Sequence, residues 1–430
     1  MNFQLKPGLL LGAASAATQI EGGSQNNSWH AWYRKGRIKD GSDPSVATDH
    51  YVRWQEDLEL MAGMGIQCCR LGVEWSRVEP EDGVFDDAVI AHYREELQAL
   101  VGRGIRPLLT LHHFSNPLWL EEKGAFAKRD NITYFLRFVR RMVEGVGDLV
   151  SEYITINEPN VYACNGYFEG TWPPGKRNLL ETARVMTNLT AAHIEAYGLI
   201  RKTRLQMGFT DTKVSFANHL RVFAPQNPAD PVHRFWASRA EQLFQNSLTR
   251  AMCTGRTAFP IGHHPSIVPG QYCDFHAINY YARSTVSALA GGRADGPVND
   301  LGWEIYPQGI VETAQRVYSL LPRPIYITEN GTCDNTDRFR ARYIAEHLQA
   351  ICESELPIER YYHWCFCDNW EWLEGNSARF GLVHVDYETQ ARTVKSSGEF
   401  YRQVIAQGGV SDELYSRFCD VPYPTGREGA

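Results

Sequence analysis

Short runs of apolar residues, rich in β-branched and aromatic side chains, recur between longer stretches whose apolar positions fall at helical spacing. The runs predict strands at Leu9–Ala13, Cys68–Gly72, Pro107–Leu111, Tyr153–Ile156, Val214–Ala217, Phe275–Asn279, Ile325–Thr328 and Tyr361–Cys365. Runs of this kind suit strands buried on both faces, as in a parallel sheet. The helical spacing predicts helices over Trp54–Met64, His92–Val101, Asn131–Val146 and Leu179–Arg204. Gly65, Gly102 and Gly147 follow the first three, and glycine just past the last turn is a stop signal. Eight strands alternating with helices imply repeated βαβ units and favour a closed barrel over an open doubly wound sheet. The expected fold class is α/β, a single (β/α)8 TIM barrel with elaborated βα loops. It would form one domain over residues 1–430, with the barrel at about 8–405 and a tail at 406–430 of unassigned role.

Composition narrows the class. At about 150 residues per domain, 430 residues would suggest roughly three domains, but α/β barrels of this length fold as one unit. No linker, repeat or charge block divides the chain. The 43 Lys and Arg against 50 Asp and Glu give a net charge of −7. Nucleic-acid binding without sequence preference needs a basic surface, so it is not expected. No apolar run approaches the roughly 18 residues of a membrane span. No GxGxxG follows a strand, which argues against a dinucleotide cofactor. Lys6 and the run Gly8–Ala17 imitate a short signal peptide, but cleavage there would delete the first strand. The segment is read instead as that strand running into a Gly/Ala-rich loop.

The ten cysteines have irregular spacing and no CxxC pair. Buried reduced thiols, no metal, no cofactor and a reducing cytoplasm are the expectation. His112 and His113 are adjacent on a strand, would point opposite ways and would not ligate one ion. His263–His264 precede Pro265 in a polar loop and read as surface. Arg37–Lys39 and Arg137–Arg141 read as solvated faces.

Barrels of this kind carry their chemistry at the C-terminal strand ends. Here those ends hold Arg70, His112–His113, Asn157–Glu158, Asn279–Tyr280–Tyr281, Glu329–Asn330 and Trp364, followed by Asp368–Trp372. Carboxylates on strands four and seven would face each other across the barrel mouth. Two carboxylates flanking a pocket are what glycoside hydrolysis needs, one protonated to donate and one ionised to attack. Arg70 would keep one ionised, and the nearby charge would raise the pKa of the other. Tryptophan faces with Asn, Gln and His donors suit a sugar's apolar ring face and its hydroxyls.

Three motifs resemble glycoside hydrolase family 1, the retaining β-glucosidase and β-galactosidase family. Thr155–Ile156–Asn157–Glu158–Pro159 resembles its acid/base segment, and Thr328–Glu329–Asn330–Gly331 its nucleophile segment. Gln19–Ile20–Glu21–Gly22 matches its QxEG segment. The resemblance runs from about Gly8 to about Ile405. It implies a retaining, exo-acting β-glycosidase on unphosphorylated β-glucosides, β-galactosides or β-fucosides, with no cofactor. Glu158 would be the acid/base and Glu329 the nucleophile. Asn157 would bind the sugar 2-hydroxyl, Arg70 and Tyr281 would contact the nucleophile, and Asn279 would support them. Gln19, His113, Glu371 and Trp372 would bind the glycone hydroxyls, with Trp364 and Phe380 as walls. Glu371 in that place would repel a 6-phosphate. Departures are His113–Phe114–Ser115 where the family often has HWD, Asn160 in place of a larger leaving-group residue, and Ala277 for a usual glycine. A transglycosidase and an inactive sugar-binding barrel are the alternatives. Fold alone does not separate them from a hydrolase.

Overall fold

Eight parallel strands close into a barrel in the computed structural model, which describes residues 1–288, 290–294 and 296–424. They are β1 (Leu10–Ala14), β2 (Cys68–Gly72), β3 (Arg106–His112), β4 (Glu152–Asn157), β5 (Lys213–Pro225), β6 (His276–Ser287), β7 (Ile325–Asn330) and β8 (Ile358–Trp364). Each pairs with the next in chain order, and β8 returns to pair with β1. No edge remains open among these eight. The apparent signal peptide is therefore a barrel strand: Gly12 pairs with Cys68 on one side and Tyr362 on the other.

Helices sheath the barrel: α1 (His50–Gly63), α2 (Asp87–Gly102), α3 (Ile132–Val146), α4 (Leu179–Gln206), α5 (Ser247–Thr254), α6 (Gly309–Leu320), α7 (Arg340–Glu353) and α8 (Ser396–Gln407). In α3, Ile132, Phe135, Phe138, Val139, Met142, Val143 and Val146 are buried, the one-sided stripe that its spacing foretells. Burying each such side chain contributes roughly 1.5–3 kcal/mol. The start of α2 departs from the expected His92. Asp86 accepts from Ala88 N at 2.9 Å and Val89 N at 3.2 Å, so its cap starts the helix a turn earlier.

Two differences from the sequence reading shape the site. β5 does not stop near Ala217; it continues to Pro225. It stays paired with β6 from Val222 opposite Arg283 to Pro225 opposite Val286, so the two strands rise above the rim as a ribbon. The tail is also structured over residues 406–424, with 425–430 outside the described residues. Gly409–Val410 pairs with Phe3–Gln4, and Asp412–Phe418 is a helix. The chain then runs along α7, where Tyr423 OH donates to Glu346 at 2.8 Å and its ring meets Phe339. It reaches the loop after β6, where Val298 N donates to Pro424 O at 3.2 Å.

Candidate active site

The two motif carboxylates meet across one cleft of about 840 Å³ at the C-terminal end of the barrel. Both are buried, Glu158 at 6% exposure and Glu329 at 3%. Glu158 follows β4 in the left-handed conformation at φ 43°. That conformation costs a non-glycine residue roughly 1–2 kcal/mol. A bond from its N–H to Ala217 O at 2.7 Å and the short helix opened by Pro159 hold it there.

Glu329 sits on β7 and accepts from Arg70 Nη1 and, at 2.6 Å, from the Tyr281 hydroxyl. Arg70 is fully buried, with Nε on Thr110 Oγ1 at 3.0 Å and Nη2 on Asn157 Oδ1 at 2.6 Å. Asn279 donates to Glu158 Oε1 at 2.8 Å and to Asn157 Oδ1 at 3.0 Å, while Thr328 donates to its carbonyl oxygen at 2.7 Å. One interlocked network thus spans β2, β4, β6 and β7. Asn330 on β7 ties it to β6 and β8, donating to Tyr280 O and accepting from Tyr361 OH. Gly331 permits the close approach of β7 and β8, because a Cβ there would lie 1.9 Å from Trp364 O.

Burial pushes Glu329 up to about 7, with Glu158 adding to the rise and Arg70 and Tyr281 pulling against it. Burial also opposes ionisation of Glu158, but His219, Asn279 and Arg70 outweigh it and hold its carboxyl below the usual range. Two carboxylates this closely linked titrate as a pair. His219 acts on Glu158 as a neutral N–H donor. Burial lowers its pKa, and its Nε2 accepts from Arg221 Nε at 2.8 Å, which leaves Nδ1–H for Glu158 Oε1 at 3.3 Å.

At the other end of the cleft, Gln19 donates to Glu371 at 3.2 Å and Trp364 Nε1 donates to the same carboxylate at 3.4 Å. Burial pushes Glu371 up to about 8. His113 Nε2 accepts from Asn157 Nδ2 at 2.8 Å, so Nδ1 carries the hydrogen. Neither His113 Nδ1 nor Gln19 Oε1 has a partner among the described residues, although both are buried. Buried polar atoms seldom stay unpaired, and here both sit beside the cleft where a polyhydroxylated ligand would pair them. Trp372 and Phe380 line the same space. Trp370 belongs to the core, fully buried with its ring on Trp29.

All twelve residues singled out in the sequence converge here. His113, Glu158, Tyr281, Glu329, Trp364, Glu371, Trp372 and Phe380 line the cleft, with Gln19, Arg70, Asn157 and Asn279 directly behind them. One reading is corrected: His264 is buried, because the turn at Pro265 folds its ring back to accept from Ser266 N at 3.2 Å. His112 and His113 do face different partners, the former Asn116 at 2.9 Å. Asn160 lies behind the cleft and donates to His219 O at 2.8 Å. Phe114 lines the wall without an N–H to offer. Sequence reasoning missed His219, Arg221, Trp172 and Trp303, which also line the cleft. A signal was present for the first, since the polar pair Asn218–His219 follows the apolar run of β5. The tryptophans come from long loops and left none.

The family description Glycosyl hydrolase family 1 matches residues 1–264 and 270–410. β-Glucosidase A of Thermotoga maritima is 32% identical over 96% of this chain and 100% of its own. A 6-phospho-β-galactosidase of Clostridium acetobutylicum is 27% identical over 96% of this chain and 98% of its own. A β-glycosidase from Pyrococcus horikoshii superposes with a TM-score of 0.88, at 32% identity, over 98% of this chain and 99% of that one. The T. maritima family 1 β-glucosidase in complex with glucoimidazole superposes at 0.87, with 30% identity over 95% of this chain and 100% of that one. Two buried carboxylates on β4 and β7, a barrel that presents them and a match along almost the whole chain agree, and the chain belongs to glycosyl hydrolase family 1.

Proposed function

We propose that this retaining β-glycosidase is exo-acting and hydrolyses unphosphorylated β-glucosides by double displacement, with the whole chain as one catalytic domain. The observation that carries the reading is the asymmetry of the pair. Glu329 receives a guanidinium and a phenol hydroxyl, donors that match an ionised carboxylate. Glu158 receives only neutral N–H groups from Asn279 and His219. The free carboxyls shift the other way, Glu329 up and Glu158 down, but a glycosidic oxygen beside Glu158 gives a proton an acceptor, and Arg70 and Tyr281 remain to stabilise Glu329 as the carboxylate. In this reading Glu329 attacks the anomeric carbon while Glu158 protonates the leaving oxygen. Glu158 then takes a proton from the water that releases the sugar. Asn157, oriented by Arg70 and Asn279, meets the 2-hydroxyl, where a bond strengthens most in the transition state.

Gln19, His113, Trp364, Glu371 and Trp372 form the glycone end. No lysine or arginine among the described residues lines that end, and Glu371 is an acceptor suited to hydroxyl donors. A phosphate offers acceptors only, so the unphosphorylated sugar is favoured although one relative is a 6-phospho-β-galactosidase. Among the described residues no helix is long and apolar enough to cross a membrane. The ten free cysteines support a reducing, cytoplasmic compartment.

Initial rates on chromogenic β-glucoside, β-galactoside, β-fucoside, α-glucoside and β-glucoside 6-phosphate test the proposal. Turnover of the unphosphorylated β-sugars, led by the glucoside and giving a β-configured first product by proton NMR, is expected. Turnover of the 6-phosphate alone, or an inverted product, overturns it.

A further inference from the structure

The side of the cleft beyond Glu158 carries a cation that no anion among the described residues pairs with. Arg221 stands on β5, two residues after His219, on the ribbon that rises above the barrel rim. It is held at several points. Its N–H donates to Gln245 Oε1 at 2.9 Å, and its carbonyl accepts from Gln245 Nε2 at 3.0 Å. Its Nε is tied to His219 at 2.8 Å, and its guanidinium lies over the Phe244 ring at 5.4 Å. Yet its two terminal amino groups have no hydrogen-bond or ion-pair partner among the described residues. Nearby candidates are taken or too far. Glu304 is held by Arg283, and Glu374 by Lys39. Glu158 and Glu169 attract the guanidinium from beyond ion-pair distance.

Arg221 borders both the main cleft and an adjoining groove of about 710 Å³, which share His219, Tyr281 and Trp303 as well. The groove lies on the acid/base side, away from Gln19 and Glu371. The acid protonates the leaving oxygen, so the leaving group extends to this side. A half-buried guanidinium with no anion on it among the described residues has given up part of its hydration, which a bidentate carboxylate would replace. Its planar fork matches such a group geometrically. Trp303, which borders both spaces, offers a flat apolar face beside it.

We propose that Arg221 forms an anion-binding leaving-group subsite, and that the preferred substrates are β-glycosides whose aglycone carries a carboxylate. This rests on the β-glycosidase reading above. The test compares 4-(carboxymethyl)phenyl β-glucoside with its neutral amide. The methylene insulates the phenol, so the two leave almost equally well. The wild-type enzyme should favour the carboxylate about tenfold in kcat/KM, the scale of a charge-assisted bond at a partly exposed site. The preference should shrink with added salt. It should fall to about one in Arg221→Gln and survive in part in Arg221→Lys. A ratio of one or less in the wild type, or a ratio unchanged in Arg221→Gln, overturns the subsite while turnover of the amide leaves the glycosidase reading standing. If neither compound turns over, that reading fails instead. Calorimetric binding of the same two compounds then decides the subsite, with tighter binding of the carboxylate supporting it and equal binding overturning it.

Discussion

The two ends of the cleft are built differently. At the glycone end, Trp364 closes β8, Gln19 and Glu371 follow the tips of β1 and β8 within a few residues, and both Gln19 and Trp364 donate to Glu371. Beside them Arg70, Asn157, Asn279 and Glu329 interlock across four strands. At the leaving-group end, His219 and Arg221 ride on a ribbon above the rim, while Trp172 and Trp303 come from long loops. A side chain on a barrel strand is fixed by register on both sides, so the sugar-binding geometry is rigid. A ribbon or loop can be rebuilt without touching the barrel. In the proposed function, chemistry and glycone recognition belong to the first end and the leaving group to the second.

Substitutions sharpen the contrast, and the largest effects belong to the rigid end. Glu329→Ala should lower kcat by at least ~10⁴-fold for every aglycone without unfolding the protein. Glu158→Ala should lower kcat/KM by about 10²–10⁴-fold for poorly leaving alcohols and much less for nitrophenol, while kcat falls for both because the water step loses its base. Added azide should restore the second variant and yield a β-glycosyl azide. A near-normal rate in either folded variant would refute the division of roles.

Glu371→Gln should cost about 10²-fold in kcat/KM on β-glucosides, because one of the two carboxyl oxygens facing the sugar hydroxyls becomes an amide N–H donor. It should also reveal the electrostatic cost of this end. The folded pKa of Glu371 is raised to about 8, above the 4.5 of an ordinary glutamate. Its contribution to stability is thus fully present below about pH 4.5 and is lost as pH rises through about 8. Relative to wild type, the variant should gain in Tm across that window by about 2 °C or more. A Tm difference independent of pH would contradict the assignment.

Effects at the other end should be smaller and depend on the aglycone. Trp303→Ala should raise KM for aryl glucosides about tenfold and leave methyl β-glucoside nearly unchanged. Equal losses on both would place Trp303 in glycone binding. Tyr423→Ala removes the ring on Phe339 and the bond to Glu346, where the tail braces the loop after β6. A two- to threefold loss on aryl glucosides with a Tm lower by about 1–3 °C is expected. An unchanged Tm would mean that the tail does not brace the loop.

The eight strands, the carboxylates and the glycone residues could be read from the chain because their causes are local. A strand buried on both faces must be apolar along its length, and a side chain just past its end must lie at the rim. The misread segments had causes that apolar patterning does not show. α2 begins early because of a cap at Asp86, and β5 runs on because β6 offers it a partner beyond the barrel. The tail looked unassigned because the surface it covers, Phe339 and Tyr343, lies some 80 residues upstream.

Residue types and their order along the chain thus determined the barrel, the glutamate pair and the class of bond they break. Only the folded molecule decided that Arg221 stands on the Glu158 side of the cleft without an anionic partner among the described residues, with Trp303 bordering the same space. A charge's partner depends on which distant loops approach it, and electrostatic attraction follows distance in space rather than separation in sequence.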